Sequence, residues 1–248
     1  MSDHPATPAG GARRSSTFAR AAAWTIHALT SSGAVCGLLA LLAVSQGRFK
    51  AALGWMGLAV LVDAVDGPLA RRCGVADVLP WIDGTLLDNL IDYLNYAVVP
   101  AVFIHELGIL PPGFDLLGAA LICVASAFQF GHVEAKSADH GFRGFPSYWN
   151  VLALYLLLLR PAPWVSLGVV LALCVMVFVP VYYVYPSRTG RYRSLTLVLT
   201  AAYALCLTLA VIQHPRSDSR LVLASLLYVV YYVAISLKLR AEFRRPGN

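Results

Sequence analysis

Charge is what this chain has least of. Only 13% of its 248 residues are Asp, Glu, Lys or Arg, against about 25% in a soluble domain. With 58% hydrophobic residues and a mean hydropathy of +0.68, that scarcity excludes an ordinary water-exposed domain and points to an integral membrane protein lying in a lipid bilayer. Organised cysteine is also missing. Cys36, Cys73, Cys123, Cys174 and Cys206 form no CxxC pair and no His/Cys cluster, which excludes a zinc site and a disulfide framework. No basic stripe interleaved with aromatics is present, so nucleic acid is excluded as a partner. The formal charge of +6 suits anionic lipid headgroups instead. Neither an internal repeat nor a Gly/Ser-rich linker divides the chain. One transmembrane domain is therefore expected over residues 21–240, between a polar, Pro/Gly/Ala-rich tail 1–20 expected to be disordered and a short tail 241–248.

What the chain does have is long apolar segments. Eight occur, near 27–46, 49–70, 84–105, 114–134, 147–160, 164–185, 195–213 and 220–239, each close to the length that crosses a bilayer. The expected fold is all-α and polytopic, with about eight transmembrane helices: a six-helix core and extra helices. Counting Lys and Arg by side, with the N-terminus inside, gives fourteen cytoplasmic and five external residues. That bias places both termini in the cytoplasm.

Against this apolar background, six of the thirteen acidic residues fall between 63 and 92. Asp63 and Asp66 are spaced i, i+3, and Gly67, Ala70 and Arg71 continue on the same helix; Gly84, Asp88 and Asp92 step by four. Each set lies along one helical face. An ionisable side chain inside a membrane helix costs about 2.5–3.5 kcal/mol on insertion scales, and four converging carboxylates would also repel one another. A divalent cation relieves both costs. Carboxylate oxygens suit Mg2+, Mn2+ or Ca2+, and two ions could hold a pyrophosphate and activate a nucleophile. Gly67, Ala70 and Gly84 leave the helix backbones open to a nucleotide, Arg71 can reach a phosphate, and Asp92, deepest of the set, can accept a proton from an incoming hydroxyl.

The pattern Asp63-x2-Asp66-Gly67-x2-Ala70-Arg71…Gly84-x3-Asp88-x3-Asp92 resembles the signature of the CDP-alcohol phosphotransferases, membrane enzymes of phospholipid synthesis. The gap between Arg71 and Gly84 is longer than usual for that family, twelve residues from Arg72 to Asp83. With eight spans, it looks like the bacterial branch that condenses choline with CDP-diacylglycerol to give phosphatidylcholine and CMP. The resemblance implies that Asp63, Asp66, Asp88 and Asp92 hold the metals, Mn2+ or Mg2+ and two ions, with Asp92 also the general base. Gly67, Ala70, Arg71 and Gly84 would bind CDP-diacylglycerol, and Thr30, Ser31 and Ser32 could add hydroxyls toward a phosphate. The site would face the cytoplasm across the bacterial inner membrane, and a homodimer is expected by family analogy.

Choline carries a quaternary ammonium without an N–H, so its site calls for aromatic faces aided by a carboxylate. Glu134, Tyr148 and Trp149 are the expected members. The alternatives are another acceptor of the same enzyme class (glycerol phosphate, inositol phosphate or serine), of which the phosphorylated ones would need converging Arg or Lys, and, further away, a cation transporter. Transport requires a polar path across the bilayer, whereas these acids gather at one end of their helices.

Overall fold

The computed structural model describes residues 16–132, 141–179, 182–184, 193–216 and 218–243. Among the described residues, each apolar segment becomes a helical unit. They are α1 (Thr17–Ser45), α2 (Phe49–Arg72), a broken unit of α4 (Gly84–Tyr93), a π-helical turn (Leu94–Val98) and α5 (Val99–Leu107), then α6 (Asp115–Gly131), α7 (Trp149–Leu159), α8 (Pro163–Phe178), α9 (Arg193–Gln213) and α10 (Ser219–Phe243). A one-turn helix α3 (Val75–Val78) lies between α2 and α4. The all-α expectation needs one addition, a three-residue antiparallel pair, β1 (Gly141–Arg143) with β2 (Tyr182–Val184), in which Phe142 faces Tyr183 in register. Helices α1, α2, α9 and α10 are long and apolar enough to cross a membrane; α6, α7 and α8 are apolar but shorter.

Helix α1 starts ten residues before the hydropathy pattern suggests, with the Ser16 hydroxyl accepting from the Ala19 N–H at 3.1 Å as its N-cap. It therefore includes four residues assigned to the polar tail. At its other end Gly47 takes a left-handed φ of +66°. The Gly47 and Arg48 N–H groups donate back to the Val44 and Ala43 carbonyls, a Schellman arrangement. That closure turns the chain directly into α2.

Small residues bring α1 and α2 together along most of their length, with Ala40, Ala43, Ala52 and Ala59 all buried. Without a hydrophobic force between helices in lipid, close backbone approach is how such pairs are held. The main core continues through Phe103 and Ile104 of α5, Ile122 of α6, Trp149 and Leu157 of α7 and Val170 of α8. Helices α9 and α10 form a hairpin that packs on α7 around Tyr155, Leu207, Ala210 and Val222, with the Tyr155 hydroxyl donating to Ser225 Oγ at 2.8 Å. Large apolar side chains such as Leu61, Phe128, Val175 and Leu227 remain on the outside, as a lipid-facing surface requires.

The charges sort to the two ends of the bundle. At one end Lys50 donates to the carbonyls of Ile212 and His214; burial, then Arg160 and Lys50, push the His214 imidazole below its usual value. At the other end α3 docks on the start of α1 through Ala23, Ile26, Val75 and Leu79, next to Arg71 and Arg72. Of the fourteen residues expected on the cytoplasmic side, Arg13, Arg14, Lys136, Arg188, Arg191, Arg244 and Arg245 lie outside the described residues.

Candidate active site

The acidic stretch occupies the end of the bundle where α2 finishes and α4 begins. Asp83 sets the start of α4: its Oδ1 accepts from the Thr85 and Leu86 N–H groups at 3.0 and 2.9 Å. With the helix starting there, Gly84, Asp88 and Asp92 fall on one face, turned toward Asp63 and Asp66 of α2. Carboxylate oxygens of Asp63, Asp88 and Asp92 all lie within 4.8 Å of one another. Asp66 is not in that cluster. It is 4% exposed and lies where a narrow cleft meets a wider cavity, lining both.

A second device arranges the acids from behind. Two residues beyond Asp92 the helix loosens into the π turn, with the Val99 N–H donating to the Leu94 carbonyl five residues back. Turns of this kind are frequent at functional sites. From this turn the Tyr96 hydroxyl donates to Asp63 Oδ2 at 2.7 Å, which fixes one α2 carboxylate from the α4 side. The neighbouring Asn95 amide donates to the Ile91 carbonyl and, across the interface, to the Gly33 carbonyl of α1, both at 3.0 Å. Gly33 is required there, since a Cβ would stand 2.7 Å from Ile91 Cγ2.

Two spaces open on the acids. The deep cleft, about 10 Å3, is walled by Asp63, Asp66, Asp88, Asp92, Asn95 and Tyr96, room for little more than one water-sized sphere. The outer cavity, about 700 Å3, is lined by Asp66, Gly67, Ala70, Arg71, Gly84 and Asp88 together with His27 and Thr30 of α1. Its far wall is the long gap itself, where Gly74, Val75, Ala76, Asp77, Pro80 and Ile82 face the cavity. Of the three α1 hydroxyl residues expected near a phosphate, Thr30 lines both spaces. Ser31 is exposed, and the Ser32 hydroxyl turns back to the Leu29 carbonyl.

All eight motif residues thus meet at one site, with the four acids at its floor and the small residues and Arg71 around the larger space. The expected choline residues fare differently. Glu134 lies outside the described residues. Tyr148, half-buried at the entry to α7, is near enough to Tyr96 to interact with it electrostatically. Trp149 needs correcting: it is 0% exposed, its indole N–H donates to Ser126 Oγ at 2.7 Å, and Phe145 packs edge-on at 5.2 Å. A ring enclosed on all sides offers no face to an ammonium, so the pair Tyr148/Trp149 divides into one candidate and one core residue. The sequence pattern singles out neither His27 nor the roles of Asn95 and Tyr96.

Can the acidic set hold metal? Three carboxylates converge within 4.8 Å, all hard oxygen donors, in a cleft too small for an organic group and lined, among the described residues, by no Lys, Arg or His. The residues fit a divalent cation.

Fold and site together define a polytopic helical membrane protein with an acid-floored cavity at one end of its bundle. No family model matches the chain, but close relatives do. The phosphatidylcholine synthase of Pseudomonas aeruginosa is 40% identical over 218 residues, 88% of this chain and 92% of that protein. The phosphatidylcholine synthase of Legionella pneumophila is 38% identical, covering 87% of each chain, and that of Borreliella burgdorferi is 30% identical over 87% of this chain and 92% of its own. The chain belongs to the phosphatidylcholine synthase family, and the resemblance read from the motif is borne out.

Proposed function

We propose that the chain transfers the phosphatidyl group of CDP-diacylglycerol to choline, releasing CMP, at the cytoplasmic face of the bacterial inner membrane with eight spans in the bilayer. The observation that carries this is the convergence of Asp63, Asp88 and Asp92 beneath a cavity large enough for a nucleotide, in a chain whose relatives bear that enzyme's name. A pair of divalent cations, Mn2+ or Mg2+, held by Asp63, Asp66, Asp88 and Asp92 would neutralise the pyrophosphate and the departing phosphate.

The chain's own groups account for the rest. Gly67, Ala70 and Gly84 leave room for the CMP half, and Arg71 offers guanidinium N–H donors to its phosphate. Asp92 receives the hydroxyl proton of choline as the choline oxygen bonds to the phosphatidyl phosphorus; the bond from that phosphorus to the bridging oxygen breaks, and CMP leaves with the electron pair. Tyr96, bonded to Asp63, holds that carboxylate oriented so that little reorganisation is needed. The acyl chains would lie in the surrounding lipid. Tyr148 and Glu134 are the choline residues this reading retains.

The test incubates membranes containing the protein with CDP-diacylglycerol, Mn2+ and labelled choline, serine or glycerol 3-phosphate. Choline label should enter lipid, with CMP released in equal amount, and chelator should stop it. Incorporation of another acceptor in place of choline would overturn the assignment. Asp92→Asn should abolish turnover while the folded protein remains in the membrane; full activity would remove Asp92 from its role.

A further inference from the structure

Both motif glycines face a donor across the space their missing side chain leaves. At Gly67 a Cβ would stand 3.3 Å from Arg71 Nη1, and at Gly84 it would stand 3.4 Å from Cε1 of His27. The first donor belongs to the motif. His27 does not: it comes from α1, more than fifty residues upstream of Gly84. Its imidazole is 7% exposed, lines the outer cavity, and its Nε2 has no hydrogen-bond partner among the described residues. A buried imidazole nitrogen without a partner is expensive, and a bound oxygen at this position would satisfy it.

The position selects which oxygen. His27 lies one turn along α1 from Thr30, which touches the acid cleft as well as the cavity, and it sits against Gly84, one turn of α4 short of Asp88. That level is just outside the acids, where the departing half of a pyrophosphate substrate would lie. Arg71 occupies the same cavity from the α2 wall. We propose that His27 is a binding residue for the leaving nucleotide, donating its Nε2–H to a phosphoryl oxygen of the CMP moiety. It acts as a second donor facing Arg71 across the cavity. On this view Gly84 is small in part so that the imidazole can lie against the α4 backbone at the start of that helix.

This inference rests on the phosphatidyl-transfer reading, and its test separates the two. His27→Phe keeps a ring of similar size without the donor, and His27→Gln returns an N–H near the position of Nε2. Purified protein is titrated with CMP and with cytidine by calorimetry, and KM is measured for CDP-diacylglycerol and for choline. Loss of one hydrogen bond to a charged phosphoryl oxygen predicts about tenfold or more weaker CMP binding in His27→Phe. KM for CDP-diacylglycerol should rise to match, KM for choline should hold, and cytidine binding should be unchanged. His27→Gln should recover most of the loss. If His27→Phe does not accumulate as folded protein, His27→Leu asks the same question of the donor. Unchanged CMP affinity, an equal loss for cytidine and CMP, or His27→Gln no better than His27→Phe would each overturn the proposal. A wild type that binds CMP but transfers nothing to choline would sink the activity alone.

Discussion

A single methyl group placed on α1, behind the acids, should be enough to disable the site. Gly33→Ala puts a Cβ 2.7 Å from Ile91 Cγ2, where carbon atoms rest at about 3.5–4.0 Å. Ile91 cannot turn aside, because β-branched side chains in helices keep one χ1 rotamer. The backbones of α1 and α4 must therefore separate by roughly 1 Å to reach ordinary contact distance. Ile91 adjoins Asp92 and lies three residues after Asp88, so both carboxylates move with it, away from Asp63. The same shift stretches the 3.0 Å bond from the Asn95 amide to the Gly33 carbonyl. Overpacking of this kind costs about 1–3 kcal/mol of stability, and a displacement near 1 Å in catalytic groups costs about a hundredfold in rate. The expected result is a protein that still inserts, melts lower in detergent, and forms labelled phosphatidylcholine about a hundredfold more slowly per folded molecule. Gly54→Ala is the control. Gly54 lies inside α2 with nothing within 4 Å of its Cβ position, so that change should leave activity intact and raise stability by about 0.5–1 kcal/mol. Wild-type turnover in Gly33→Ala would refute the claim that the α1–α4 approach positions the acids.

Two further substitutions probe groups beside the site. Tyr96→Phe removes the donor to Asp63 Oδ2; a bond to a charged acceptor contributes about 1.5–3 kcal/mol. The variant should lose roughly tenfold or more in turnover and need more Mn2+ for half-maximal activity, and an unchanged metal titration would deny Tyr96 a positioning role. Trp149→Phe removes the donor to Ser126 Oγ and opens a void in the core, lowering stability by about 1–4 kcal/mol without changing KM for choline. A rise in that KM at normal stability would return Trp149 to the choline site.

The eight apolar segments were readable because hydropathy over about twenty residues reports on the solvent of a whole helix. The acids were readable because a charge in lipid is costly wherever it occurs, so four in helical register carry their own argument. What escaped depends on pairings between distant positions. Nothing in Leu94-Asn-Tyr-Ala-Val98 marks a π turn: it contains no Gly or Pro, and its consequence, a bond from Tyr96 to Asp63, spans thirty-three residues. Trp149 looks like an interfacial aromatic at a helix start and becomes a core residue only because Ser126 of α6 meets its indole. His27 reads as one polar residue in an apolar helix; it gains meaning only where α1 passes Gly84.

The long gap after Arg71 shows how a deviation from a motif can build structure. In sequence it is a count of twelve residues. In the fold, part of that length is spent on α3, whose Val75 and the following Leu79 are buried against Ala23 and Ile26 of α1. The same segment turns Gly74, Asp77 and Pro80 toward the outer cavity, so the added length walls that cavity alongside α1, α2 and α4. Its anchor lies on α1 within one turn of His27, which ties the roof of the cavity and the imidazole to a single helix. The narrow cleft and the wide cavity are therefore held by different parts of the chain. The π turn and the α1–α4 glycine contact shape the acids, while α3 and the start of α1 shape the space above them. A substitution in α3 should consequently alter nucleotide affinity before it alters the acids, because α3 docks on α1 and on α2 around Leu69 and Ala70, beyond the Tyr96 and Gly33 contacts that hold the acids.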